Sequence, residues 1–201
     1  WQAAMECLQQ EQWSAAAEYC RAGLRLQPQF AEFHFRLGEC LLELGQAPEA
    51  QRHFAQALDD DGHPMRMLHD YQRVIQEVAD QFGIITVNGE AALRVHSQHG
   101  ILDRSLIHDN VHPTIRGDFL LGRAGADLVF QSKLLAATIG EPRPISEVTQ
   151  ADAVREFELT TADVASACRQ VANGWRWLSR LRFDPRHRLR EADRLEELAR
   201  R

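Results

Sequence analysis

Residues 1–62 repeat on themselves at a fixed spacing. Ala50 lies 34 positions after Ala16, and the same shift places Leu58 on Leu24 and Phe54 on Cys20. A period of about 20 to 50 residues indicates supersecondary units that cannot bury an apolar face alone and therefore stack. Each matched pair is accordingly expected to lie where two helices meet.

The second copy carries the clearer pattern, with Gly38, Gly45, Ala50 and Phe54 at its small, turn and large positions. It resembles the tetratricopeptide repeat (TPR), a helix pair with a period of about 34 residues. The first copy departs from the consensus at Glu11, where glycine is usual. The resemblance implies a groove that binds a protein partner. Because a free-standing array needs about three repeats, this pair should pack against further structure.

Beyond Gly62 the pattern changes. A helix is predicted to start at His63-Pro64 and to end at Gly83, with one apolar stripe: Tyr71, Ile75, Val78 and Phe82. The β-branched run Ile84-Ile85-Thr86-Val87 follows, bounded by Gly83 and Asn88-Gly89. Such a run is typical of a buried strand. The order helix, glycine, strand predicts an α/β unit.

A polar loop with a short helix at Glu90 to Val95 is predicted next, reaching His112. Pro113 then starts a helix. Three glycines in that helix indicate close packing against a sheet, namely Gly117, Gly122 and Gly125.

A linker is predicted at Gly140–Pro144, followed by a C-terminal helical hairpin. Its helix-start signals are Thr160-Thr161-Ala162-Asp163 and Asp184-Pro185. The predicted fold class is therefore α+β and mostly helical. Its segments are TPR-like repeats at 1–62, a helix-strand-loop-helix part at 63–139, and a linker with the hairpin at 140–201.

The segment Asp109-Asn110-Val111-His112-Pro113 carries the candidate chemistry. Pro113 disfavours the helical region for His112, so the imidazole is expected at the end of a loop. An aspartate three residues earlier can fold back and accept the Nδ1 proton, which leaves Nε2 free to take a proton from a serine.

Asp109-x-x-His112-Pro113, after the predicted strand and before a glycine-containing helix, resembles the closing block of SGNH (GDSL-type) hydrolases. The resemblance implies that Asp109 is the triad acid and His112 the general base. It implies an upstream catalytic serine and oxyanion hole, because no serine here stands in a Gly-Asp-Ser or Gly-x-Ser-x-Gly setting. The chain is thus expected to lack the serine half and to be inactive alone.

Two other interpretations of this segment stay open. His96-x-x-His99 together with His108-Asp109-x-x-His112 offers nitrogen and oxygen ligands for zinc, although no helical spacing unites them. Alternatively, Asp-x-x-His before proline only caps the N-terminus of a helix, and the histidine is simply exposed. The predicted helix and strand before this segment favour the catalytic interpretation, and no metal or cofactor is predicted.

Composition restricts the partners. A net charge of -6 argues against nucleic acid, and no apolar run is long enough for a membrane span. The four cysteines form no C-x-x-C pair and are predicted to be small apolar core residues.

The predicted function is the C-terminal part of a serine ester hydrolase acting on an ester, such as an acylated glycan. The alternative is a TPR-type protein interaction module without catalysis.

Overall fold

The computed structural model describes residues 1–64, 66–109, 111–132, 147–180 and 185–200. The chain divides into two compact units, Trp1–Leu102 and Asp103–Arg201. The predicted linker at 140–144 lies outside the described residues. The division of the chain into the three predicted segments therefore remains a prediction.

The first unit begins with two helix pairs whose consecutive helices pack on one another. The helices are α1 (Gln2–Gln9), α2 (Trp13–Leu26), α3 (Ala31–Glu43) and α4 (Ala47–Asp59). Their shared core is built largely from small side chains and a few leucines: Ala4, Ala16, Ala17, Cys20, Leu37, Cys40, Leu41 and Ala50. Small residues let the helix axes approach closely, which is what the matched positions of the repeat predict.

Two glycines in these helices face aromatic rings. A Cβ on Gly38 would lie 2.7 Å from Cε1 of Phe54, and one on Gly23 would lie 2.3 Å from Cζ of Phe33. Phe54 therefore packs closely between the two helices of the second pair, and Phe33 packs closely between α2 and α3. Alanine at either position would force the ring out of a close-packed interior.

The cysteines behave as predicted. Cys20, Cys40 and Cys168 are buried and Cys7 is partly buried, all as free thiols. Burial raises the pKa of Cys20 to about 12 and that of Cys40 to about 11. Both thiols are therefore protonated at neutral pH and pack as small apolar groups.

Helix α5 (His69–Phe82) and the short helix α6 (Gly89–Arg94) follow. Gly83 ends α5 in the left-handed conformation, with φ 64°, as its position predicts. The helix starts at His69 and not at His63-Pro64. Asn88 caps α6 by accepting a 2.9 Å hydrogen bond from the Ala91 backbone N–H.

The predicted α+β fold class is wrong. In the described ranges the chain is mostly helical and forms no strand, and its β-type pairing is one isolated bridge between Ile107 and Pro113. Residues 84–87 form a loop, with Ile84, Ile85 and Val87 exposed. A β-branched run becomes a strand only beside a neighbouring strand that completes its hydrogen bonds, and residues 84–87 pair with none.

The second unit contains α7 (Ile115–Ser132), α8 (Gln150–Glu156), α9 (Thr161–Ser179) and α10 (Pro185–Leu198). Helices α9 and α10, in the region where the C-terminal hairpin is predicted, pack through a common core: Cys168, Ala172, Trp175, Ala192 and Leu195. Thr160 caps α9 as predicted: its Oγ1 accepts from the Asp163 N–H at 3.2 Å, while Asp163 accepts from the Thr160 N–H at 2.8 Å.

Candidate functional site

Asp109 and His112 form a hydrogen-bonded pair in the loop before α7. Nδ1 of His112 lies 2.8 Å from Oδ2 of Asp109. A carboxylate can only accept, so Nδ1 donates and Nε2 is left as the basic nitrogen. The His112 side chain is 71% exposed while that of Asp109 is 18% exposed. The contact that the sequence predicts is present, and its catalytic role stays a prediction.

The second oxygen of Asp109 is held by the backbone. Its Oδ1 accepts from the N–H groups of Val111 at 2.8 Å and His112 at 2.9 Å. Partial burial disfavours the charged form, but these N–H groups and the His112 ring outweigh it and hold the pKa of Asp109 below its ordinary value. The carboxylate is therefore ionised at neutral pH and can orient and stabilise an imidazolium.

Backbone contacts close the loop that carries the pair. The His108 N–H donates to the His112 carbonyl at 2.8 Å, and the Thr114 N–H donates to the Leu106 carbonyl at 2.8 Å. A Cβ on Gly117 would lie 2.1 Å from the same Leu106 carbonyl oxygen. Gly117 thus permits close packing as predicted, but against this loop and not against a sheet. Gly122 and Gly125 have open space around them.

Trp175 on α9 holds the other side of the loop. Its Nε1 donates to the His108 carbonyl at 3.2 Å. The guanidinium carbons of Arg104 and Arg188 lie 5.5 Å and 5.1 Å from the Trp175 ring centroid, and Arg104 also pairs with Glu191 at 2.5 Å. The C-terminal hairpin therefore fixes the loop on which His112 is carried.

Among the described residues, the side chains of the remaining histidines in the predicted cluster make no hydrogen bond to the side chains of the pair. His96 follows α6, and His99 lies in a single 3₁₀ turn at Gln98–Gly100. Partial burial lowers the pKa of His108 against the attraction of Asp109, which favours the neutral ring. Within the described ranges, no three His, Cys, Asp or Glu side chains are grouped as metal ligands would be.

In the first unit, α3 carries a charged ladder that is mostly covered, with the Arg36 side chain only 11% exposed. Arg36 donates from Nε to Glu32 and from Nη1 to Glu39, each at 2.9 Å. Its guanidinium carbon also lies 5.4 Å from the ring centroid of Phe35, whose side chain is partly exposed. Helix α3 thus carries an ordered arginine between two carboxylates beside an aromatic ring.

His34 and His53 join α3 to α4. Their Nδ1 atoms lie 2.9 Å apart with the rings stacked, and Nε2 of His34 lies 2.9 Å from the Pro28 carbonyl. Since that carbonyl can only accept, Nε2 of His34 carries its proton, and in the neutral pair Nδ1 of His53 donates to Nδ1 of His34.

The packed helix pairs with a 34-residue period agree with the comparison to known families. Residues 8–69 match the tetratricopeptide repeat family model. This part of the chain is a TPR segment, as predicted. No curated protein and no solved structure matches the chain. The SGNH resemblance gains no support from these comparisons.

Trp175 and its two arginines were missed by sequence analysis. The tryptophan is buried against α10. Its indole N–H also needs an acceptor when buried, and this general requirement of tryptophan was the available signal.

In the described part of the chain, no helix combines the length and the apolar character needed to cross a membrane.

Proposed function

We propose that this protein is an interaction module that binds a protein partner through its TPR segment. The observation that carries the proposal is the family match at residues 8–69, together with consecutive packing of α1 to α4. Stacked helix pairs present extended concave surfaces, and these proteins use such surfaces for binding. This replaces the hydrolase fragment as the leading interpretation.

Helix α3 supplies the groups that would contact the partner. Phe35 gives apolar area, and the Glu32–Arg36–Glu39 ladder gives fixed charges of both signs. Arg36 is 11% exposed and paired with both carboxylates, so its role would be to hold Glu32 and Glu39 in place beside Phe35. The ladder carries one more acidic group than basic, which favours a partner peptide with a basic residue.

The test is selection of peptides of about 12 residues from a displayed random library against the purified protein. Binding of each synthetic peptide is then measured by anisotropy. Peptides of this length span about three turns of helix or an extended groove. Phe35→Ser is expected to weaken binding at least about tenfold, since a few aromatic anchors carry most of the affinity. Failure to enrich any peptide would contradict the proposal.

Phe157→Ser in the second unit is the matched control, because Phe157 is also an exposed phenylalanine and lies outside the TPR segment. Selected peptides should bind this variant as they bind the wild type. Equal weakening in both variants would show that binding depends on general hydrophobicity and not on α3. Far-ultraviolet circular dichroism checks that each variant keeps its helices.

A second candidate function rests on the Asp109–His112 pair. Its 2.8 Å contact, the ionised carboxylate and the exposed imidazole fit an acid and base for ester cleavage or acyl transfer. The nucleophile would be a hydroxyl brought to Nε2 of His112.

Once the hydroxyl nucleophile is supplied, His112→Ala should abolish hydrolysis of 4-nitrophenyl acetate, and Asp109→Asn should reduce kcat by about 10⁴, the loss that the same change causes in a serine protease triad. Unchanged hydrolysis in His112→Ala would remove this candidate and leave the interaction module.

A further inference from the structure

Helix α5 carries an apolar face that the protein leaves open. Its five large apolar side chains on that face are between 45% and 68% exposed: Tyr71, Val74, Ile75, Val78 and Phe82. At 100° per residue they fall on one side of the helix. A contiguous apolar face of this kind marks an interaction surface more often than a free one.

The side of α5 that carries Gln72, Gln76 and Ala79 is held by the residues that follow the helix. Gln72 donates to Glu90 at 3.0 Å and Thr86 donates to Gln76 at 3.0 Å, while the Ile84 N–H donates to the Ala79 carbonyl at 2.8 Å. Ala79 itself is buried. The residues after α5 therefore anchor one side of the helix, and the apolar face is presented without rearrangement.

The charges of α5 are unequal in sign. Three carboxylates, Asp70, Glu77 and Asp80, stand against one arginine, Arg73, an excess of two acidic groups. Asp70 and Glu77 lie along the border of the apolar face, and Arg73 pairs with both at 3.3 Å and 2.8 Å. An antiparallel pair of α5 copies would place these acidic borders on the same side, where like charges repel.

We propose that α5 is a second docking surface, separate from the α3 surface, that binds an amphipathic helix with basic residues beside its apolar stripe. The apolar stripe of the partner would cover Tyr71, Ile75, Val78 and Phe82, and its lysines or arginines would lie beside Asp70 and Glu77. This is helix-on-helix recognition, with apolar anchors at every third or fourth position. Charge complementarity favours this occupant over a second copy of the chain in the antiparallel arrangement.

The probe is a fluorescein-labelled amphipathic peptide of about 14 residues, with leucine at every third or fourth position and lysine elsewhere. Its binding to the full chain is followed by anisotropy. The double substitution Ile75→Ser/Val78→Ser is expected to weaken binding at least about tenfold. Asp70→Asn/Glu77→Gln should weaken it about threefold and reduce its dependence on salt concentration.

Two controls decide the interpretation. Leu26→Ser removes a highly exposed leucine from α2 and should leave the affinity unchanged. A peptide with glutamate in place of lysine should bind at least about tenfold more weakly, because it meets the acidic border. Equal binding of both peptides, or of the wild type and Ile75→Ser/Val78→Ser, would overturn the proposal.

Other occupants would be recognised in the same set of experiments. Sedimentation that shows a dimer dissociated by Ile75→Ser/Val78→Ser would assign α5 to a second copy. Co-sedimentation with phosphatidylcholine vesicles that this variant abolishes would assign it to a lipid surface. Either result would replace the proposed helical partner. The substituted side chains are exposed, and circular dichroism confirms that the variants remain helical.

Discussion

Glu11 lies in the turn between α1 and α2 with φ at 56°, and Gly45 lies in the turn between α3 and α4 with φ at 75°. The two positions are separated by the 34-residue period. Only the second copy has the residue that adopts this conformation without strain. A non-glycine residue in the left-handed region costs about 1 to 3 kcal/mol.

Glu11→Gly is therefore expected to stabilise the first unit by about 1 kcal/mol, after allowance for the greater freedom of glycine in the unfolded chain. Thermal unfolding followed by circular dichroism measures the change. Gly45→Ala is the matched comparison and should lower the stability, because it introduces the strain that Glu11 already carries. A lower midpoint for Glu11→Gly would show that the glutamate side chain contributes more than the strain costs.

The His34–His53 pair makes the stability of the helix pairs depend on pH. Burial, followed by repulsion from His34, lowers the pKa of His53 from its ordinary 6.5, although Glu49 acts in the opposite direction. Asp60, Arg21 and Arg52 are the other charged groups near the pair, and both arginines also lower the pKa of His53. Below pH 6.5 the unfolded chain binds the proton more readily than the folded chain, so the free energy of unfolding decreases as the pH falls.

We expect the thermal midpoint of the wild type to fall more between pH 7.5 and pH 5 than that of His53→Gln, which has no titrating ring (the pH range brackets the histidine pKa of about 6.5). Comparison of the two proteins separates the histidine effect from the carboxylates. An equal pH dependence in both would mean that His53 titrates as it does in the unfolded chain.

Among the elements, the helices with a periodic apolar pattern could be predicted from the sequence. The strand predicted at residues 84–87 does not form. The TPR pairs, the end of α5 at Gly83 and the cap of α9 at Thr160 all follow from residues within one helical turn or from a repeated spacing. Residues 84–87 have the composition of a strand, but a strand depends on a neighbour that composition does not reveal. For the same reason, the sequence predicts α5 to be part of an α/β unit, although its apolar face is exposed in the structure.

The cap of α9 provides a test at this scale. Thr160→Ala removes the oxygen that accepts from the Asp163 N–H, and N-cap substitutions of this kind cost about 1 kcal/mol. Thr149, which caps α8 with Asp152 in the same way, gives a parallel variant. Because α9 packs on α10 and α8 is much shorter, Thr160→Ala should reduce the unfolding midpoint more than Thr149→Ala. The reverse order would indicate that α8 limits the stability of the second unit.

At the scale of the whole molecule, the candidate site shows which contacts can be predicted from neighbouring residues in the sequence. The Asp109–His112 contact was predictable because three residues and a proline determine it. The support from Trp175 was not, because its hydrogen bond to His108 spans 67 positions in the sequence and depends on how the hairpin packs on the loop. Contacts of this separation leave no periodic signal.

Trp175 should therefore control the order of the loop as well as the stability of the hairpin. Trp175→Phe keeps most of the buried ring and loses the hydrogen bond to His108, so we expect a loss of about 1 kcal/mol. Trp175→Ala should cost about 3 to 5 kcal/mol, as for other buried aromatic residues. Hydrogen exchange read by mass spectrometry should show faster exchange in residues 104–109 in both variants. Unchanged hydrogen exchange in residues 104–109 of Trp175→Ala would mean that the loop stays ordered without the Trp175 side chain.

The close approach of Gly117 to the Leu106 carbonyl restricts which residue related sequences can carry at position 117. A Cβ at 2.1 Å cannot be accommodated by moving a side chain, because the obstacle is backbone. In a saturation library at position 117, glycine alone should survive selection for folding, whether or not Asp109 and His112 are kept. The spacing Pro-x-x-x-Gly after the histidine can therefore serve as a marker for this loop in chains that have lost the acid–base pair.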